Sequence, residues 1–91
     1  MIPQETVDQI MNAAVIEEVI GDYVELKKSG SSLRGLSPFT NEKTPSFYVL
    51  PAKGIFKCFS SGKGGNVVTF LMETEKASYP EALRLLARRY N

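Results

Sequence analysis

Ser37-Pro-Phe-Thr-Asn-Glu-Lys-Thr-Pro-Ser-Phe47 (SPFTNEKTPSF) and, ten residues further on, Lys57-Cys-Phe-Ser-Ser-Gly62 (KCFSSG) decide how this chain is read. Each half is built like the knuckle of a metal site, with two candidate ligand positions at x2 spacing. Three of the four positions carry hydroxyls. A site of that outline without its metal ligands must be held together in another way.

Between the halves the sequence alternates. In Phe47-Tyr-Val-Leu50, Phe47 and Val49 share one face and Tyr48 and Leu50 the other. In Ile55-Phe-Lys-Cys-Phe59, Phe56 and Cys58 oppose Ile55, Lys57 and Phe59. Pro51-Ala-Lys-Gly54 joins the two runs with good turn chemistry. Further strands are expected over Leu33–Leu36 and over Tyr23-Val-Glu-Leu-Lys-Lys28, separated by the turn Ser29-Gly-Ser-Ser32. The expected result is an antiparallel sheet of three to four strands over Tyr23–Lys28, Leu33–Leu36, Ser46–Leu50 and Ile55–Phe59, with one face in the core and the other a candidate binding surface.

Helices flank this sheet. After Pro3, Val7, Ile10, Met11 and Ala14 follow the i, i+3, i+4, i+7 spacing of one helical face. Ile16, Val19 and Ile20 predict a further turn or two, stopped at Gly21. Asn66 is placed to cap a helix carrying Val67, Phe70 and Leu71. Ser78-Tyr-Pro-Glu81 matches a capping box and opens a last helix with Ala82, Leu83, Leu86 and Tyr90 inward. The fold class is therefore α+β, a single domain over residues 1–91.

Composition narrows the function. The 91 residues include one cysteine and no histidine. Without an imidazole, Ser-His-Asp and Cys-His nucleophilic machinery is excluded, and no paired-carboxylate site is visible. One cysteine closes no internal disulfide, in keeping with a reducing compartment. No apolar run approaches a membrane span, and the start MIPQETVDQI lacks the basic and apolar parts of a signal peptide. The chain is read as soluble, cytoplasmic and monomeric, with no membrane partner.

Net charge of +1 hides segregation. Residues 1–26 hold Glu5, Asp8, Glu17, Glu18, Asp22 and Glu25 with no base, giving −6. Residues 27–63 hold Lys27, Lys28, Arg34, Lys43, Lys53, Lys57 and Lys63 against Glu42, giving +6. Phe39, Phe47, Tyr48, Phe56 and Phe59 are interleaved with those cations. Cations for phosphates and rings for bases suit single-stranded nucleic acid. Phe39, Phe47, Phe56 and Phe59 are read mostly as core rings and Tyr48 as the exposed stacker. Gly62-Lys-Gly-Gly65 lacks the full phosphate-loop pattern and is read as a turn.

With these residues in view, LRGLSPFTNEKTPSFYVLPAKGIFKCFSSGKGGNVVTFLM resembles the N-terminal zinc-binding, CHC2-type domain of bacterial DnaG-type DNA primases, and the likeness runs over essentially the whole chain. It implies a zinc-ribbon-like sheet flanked by helices, and a domain that binds single-stranded DNA template for an attached polymerase domain to start an RNA primer. The family pattern Cys-Pro-Phe-His … Cys-Phe-x-Cys-Gly puts its ligand positions on Ser37, Thr40, Cys58 and Ser61, and Ser60 stands where glycine is usual. Only Cys58 keeps a ligand. Hydroxyls of high pKa are poor zinc donors, so zinc is expected to be lost and no cofactor is expected in this chain. Helix packing is expected to make up the difference, with the four positions converging as a small hydrogen-bonded or apolar cluster.

The expected DNA-binding residues are Arg34, Lys43, Tyr48, Lys53, Lys57 and Lys63, with none catalytic. Nucleotidyl transfer would belong to the polymerase domain. The alternative is a metal-free interaction or structural module that has lost template recognition and whose basic face docks an acidic partner, the −6 N-terminal third being able to neutralise that face within the molecule or between copies.

Overall fold

Two short helices, α1 (Gln4–Ala13) and α2 (Ile16–Gly21), lead into a meander of β1 (Lys27–Ser29), β2 (Ser32–Gly35), β3 (Phe47–Leu50), β4 (Ile55–Cys58) and β5 (Gly64–Gly65). Helices α3 (Val67–Thr74) and α4 (Tyr79–Tyr90) close the chain in the computed structural model, which describes residues 2–41 and 43–90. Glu42, counted above with the middle third's charge, lies outside those residues. The sheet is antiparallel throughout, in the order β1-β2-β3-β4-β5. It therefore has one strand beyond the three or four expected, because Gly64 and Gly65 leave the turn at Gly62 (φ 78°) extended and pair with Lys57 and Phe56.

Alternation sorts the two faces as the residue pattern requires. Phe47, Val49, Phe56 and Cys58 are all buried, and the register Phe47↔Cys58 and Val49↔Phe56 puts them side by side. The stacked pair Phe47–Phe56 (5.5 Å) meets Phe70 of α3 edge-on, at 5.9 and 5.5 Å. Half-buried Phe39 leans on all three rings at 6.0–6.1 Å. Ile20, Leu83 and Leu86 complete the core from α2 and α4. At roughly 1.5–3 kcal/mol for each large side chain removed from water, this layer dominates stability.

The helix signals act as local chemistry predicts. Asn66 Oδ1 accepts the Thr69 N–H at 3.0 Å. Ser78 and Glu81 form the reciprocal box: the Ser78 N–H donates to Glu81 Oε1 (2.8 Å) and the Glu81 N–H to Ser78 Oγ (3.3 Å). Two expectations are corrected. Residues 23–26 are not strand, because Tyr23 and Val24 N–H both bond Ile20 O and carry the chain out of α2 as a turn. The Tyr23 hydroxyl instead donates to Glu75 Oε2 at 2.6 Å, with its ring edge-on to Phe70 at 5.3 Å. Residues 24 and 25 pass so close to β2 that a Cβ on Gly35 would lie 2.6 Å from the Glu25 carbonyl oxygen. The second correction is Phe59, expected in the core but 71% exposed.

Candidate nucleic-acid interface

The solvent face of the sheet is organised by register. Lys27 pairs with Arg34, Arg34 with Tyr48, and Tyr48 with Lys57, so the four side chains form one cross-strand row. With strands about 4.8 Å apart, the row spans about 14 Å. Lys27, Arg34 and Lys57 are exposed and Tyr48 half-buried. Phe59, just past the end of β4, meets Tyr48 edge to face with centroids 5.5 Å apart. An aromatic pair thus sits between flanking cations, on the side opposite the Phe47–Phe56 core.

Arg34 also belongs to a cleft of about 420 Å³ at the β1–β2 edge, lined by Lys27, Lys28, Arg34 and Lys43 beside Glu25 and Leu36. Four cations against one carboxylate make it attractive to phosphate. The structure accordingly brings Arg34, Lys43, Tyr48 and Lys57 to one side of the molecule. It does not bring Lys53 or Lys63 there. Lys53 sits in the β3–β4 turn, beside Glu17 and Met11. Lys63 turns toward the helices, where its Nζ pairs with Glu73 Oε1 at 2.6 Å and lies 5.8 Å from the Phe39 ring centroid.

Lys27, Lys28 and Phe59 were not among the expected site residues. Their signals were nonetheless present. A two-residue turn between Ser29 and Ser32 places Lys27 opposite Arg34, and the alternation of IFKCF already put Phe59 with Lys57.

Near one end of this face the two knuckle turns meet. Cys58 Sγ lies 3.0 Å from Ser37 Oγ and 3.4 Å from Ser60 Oγ. Ser60 Oγ lies 3.0 Å from Thr40 Oγ1 and accepts from Ser46 Oγ at 2.9 Å. The Lys63 N–H donates to Ser61 Oγ at 3.3 Å. Burial pushes the Cys58 thiol up, but the hydroxyls of Ser37, Ser60 and Ser61 and the backbone of Ser61 outweigh it and bring it down to about 7.

A meander closed by two x2-spaced turns, with helices on one face, has the architecture of a zinc-ribbon domain. Residues 2–91 match the DnaG zinc ribbon, described as the CHC2 zinc finger, and the chain belongs to that family. It is 52% identical over 86 residues to the DNA primase of Listeria monocytogenes, covering 94% of this chain and 14% of that protein. It is 49% identical over 90 residues to the DNA primase of Halalkalibacterium halodurans, covering 99% and 15%. The fold is similar to the Aquifex aeolicus primase structure of zinc-binding and RNA polymerase domains, with a TM-score of 0.89, 45% identity, and coverage of 93% of this chain and 21% of that one. The chain spans about one seventh of the length of these curated relatives.

The donor set at the family's four positions does not fit structural zinc. Ser37, Thr40 and Ser61 offer neutral hydroxyls and only Cys58 a thiolate, where zinc takes four thiolate or imidazole donors. Among the described residues no group of three or more His, Cys, Asp or Glu side chains is placed to hold a metal. Among the same residues no helix is long and apolar enough to cross a membrane.

Proposed function

We propose that residues 1–91 form the template-binding domain of a DNA primase, gripping single-stranded DNA on the exposed sheet face and presenting it to a polymerase domain that performs nucleotidyl transfer. The observation that carries this reading is the row Lys27–Arg34–Tyr48–Lys57 with Phe59 against Tyr48. Rings offer sequence-tolerant stacking to unpaired bases, and cations on both sides meet the phosphates that connect them. The similarity to DNA primases supports the same role. The domain works in this reading as a cytoplasmic monomer, without zinc and without chemistry of its own.

In the interaction-module alternative the basic face docks an acidic partner, or is neutralised by the acidic N-terminal third within the molecule or between copies. Within the molecule, Asp22 Oδ2 accepts from Arg89 at 2.7 Å and Glu18 Oε1 from the Tyr90 hydroxyl at 2.9 Å, both on α4, while Glu25 lines the basic cleft. Salt titration of binding to a short single strand and to a duplex of the same sequence tests the proposal. Tighter, strongly salt-dependent binding of the single strand is expected, with a log–log slope of about −0.7 per phosphate contacted. Equally weak binding of both would overturn it.

A further inference from the structure

The two turns bearing the family's ligand positions are fastened to each other, and the fastening passes through a residue outside that set. Ser60 Oγ touches Thr40 and Ser46 of the first turn and Cys58 of the second. On the buried side Cys58 Sγ meets Ser37 Oγ, which in turn accepts the Phe39 N–H at 3.0 Å. Ser37, 7% exposed, is the one buried polar side chain among the described residues. The connected groups therefore run from Phe39 N through Ser37, Cys58 and Ser60 to Thr40 and Ser46. They tie residues 37–46 to residues 58–60 from a buried and an exposed side, as an ion ligated from both turns would.

We infer that this hydroxyl–thiol network performs the cross-linking that a structural metal would perform, and that Ser60 is its clamp residue. A hydroxyl accepts and donates at once, so Ser60 can take the Ser46 proton while giving its own to Thr40 or Cys58. Ser61, which holds a ligand position, accepts the Lys63 N–H within its own turn and reaches Cys58, but joins no residue of the first turn among the described bonds. A backbone bond from Phe59 N–H to Ser46 O, 3.0 Å, links the same two segments. Loss of the Ser60 hydroxyl should therefore loosen the junction without unfolding the domain.

The inference rests on the metal-free reading above, and the two fail separately. In the natural chain, Ser60→Ala should lower Tm by about 4–8 °C, the shift expected for one hydrogen-bonding group's loss in a domain of this size. Thr40→Val should lower it too, and the two shifts should be less than additive in the double variant, because the Thr40–Ser60 contact is lost in both. The counterpart is a rebuilt chain, Ser37→Cys with Thr40→His and Ser61→Cys, which restores four donors around Cys58. Loaded with zinc it should be sensitive to chelator, and Ser60→Ala should then shift its Tm by less than half as much. Stoichiometric zinc in the natural chain would sink the metal-free reading itself. A metal-free natural chain indifferent to Ser60→Ala, additive Thr40 and Ser60 shifts, or a rebuilt chain as dependent on Ser60 as the natural one would each overturn the clamp. If the rebuilt chain does not fold, the Thr40–Ser60 cycle in the natural background decides alone.

Discussion

Tyr48 and Phe59 meet edge to face on the solvent side of the sheet, their centroids 5.5 Å apart, while Phe47 and Phe56 stack at the same distance on the other side. Tyr48 is one residue from Phe47 and Phe59 three from Phe56, and these odd offsets put the two pairs on opposite faces of the sheet. Because Phe59 is 71% exposed, Phe59→Ala should leave Tm nearly unchanged. Its affinity for single-stranded DNA should nonetheless fall by roughly 1–3 kcal/mol, with the salt slope unaltered, since a neutral ring displaces no counterion. Tyr48→Ala should do the same, and the double variant should be non-additive because the rings touch. Fluorescence anisotropy at several salt concentrations, beside a thermal melt, checks both. A Tyr48→Ala defect that merely tracked unfolding would return Tyr48 to a structural role.

The cations divide by position. Arg34→Ala and Lys57→Ala should each weaken single-strand binding and flatten the log–log salt slope by about 0.7. Lys63→Ala should leave DNA binding near the natural value, because Lys63 faces α3 and pairs with Glu73. That pair is substantially exposed, so its loss should cost little stability. The Lys63 pairing already draws the Glu73 carboxyl below its usual range. If Lys63→Ala matched Lys57→Ala in both affinity and slope, the sheet face would not be the interface.

Cys58 supplies a pH test. Its folded value, about 7, lies below the ordinary 9.0, so folding favours the thiolate. The resulting stabilisation is fully present above the unfolded value, near pH 9, and is lost as pH falls through 7. Two units correspond to about 2–3 kcal/mol. Urea unfolding at pH 6.5 and pH 9 should show the domain more stable at the higher pH, and Cys58→Ala should remove most of the difference. Tyr23, pushed up to about 12 by burial and then by Glu75, adds no slope in this window, since its contribution is constant below pH 10.

Local chemistry made much of the fold legible. The Ser78–Glu81 box, the Asn66 cap and the turn at Gly54 depend on a few adjacent residues, and each formed as its pattern dictates. Period-two alternation set the faces of Phe47–Leu50 and Ile55–Cys58. What escaped depends on distant approach. Tyr23 has the profile of a strand residue, but its hydroxyl and ring are claimed by Glu75 and Phe70, about fifty positions away. Lys63 has the charge of a phosphate ligand, yet the left-handed Gly62 and the pairing of β5 aim it at Glu73. Ser60 is an ordinary loop serine until the fold brings Thr40 and Ser46 to it.

The proposed metal-free state gives the sharpest contrast. At a structural site zinc supplies about 10–16 kcal/mol of apparent binding energy, comparable to the whole stability of an ordinary domain, about 5–15 kcal/mol. On the metal-free reading, a chain with one thiolate among four positions draws that stability from packing. Phe70, fully buried, touches Phe39, Phe47, Phe56 and Tyr23 and so joins the helical layer to the sheet. Truncating it removes about 3–5 kcal/mol. Elemental analysis should therefore find no stoichiometric zinc, excess chelator should leave the melting curve where it was, and Phe70→Ala should abolish the cooperative transition or move it down by well over 10 °C. The reverse pattern, a melt that collapses in chelator and tolerates Phe70→Ala, would mean that a metal rather than the aromatic layer holds the domain together.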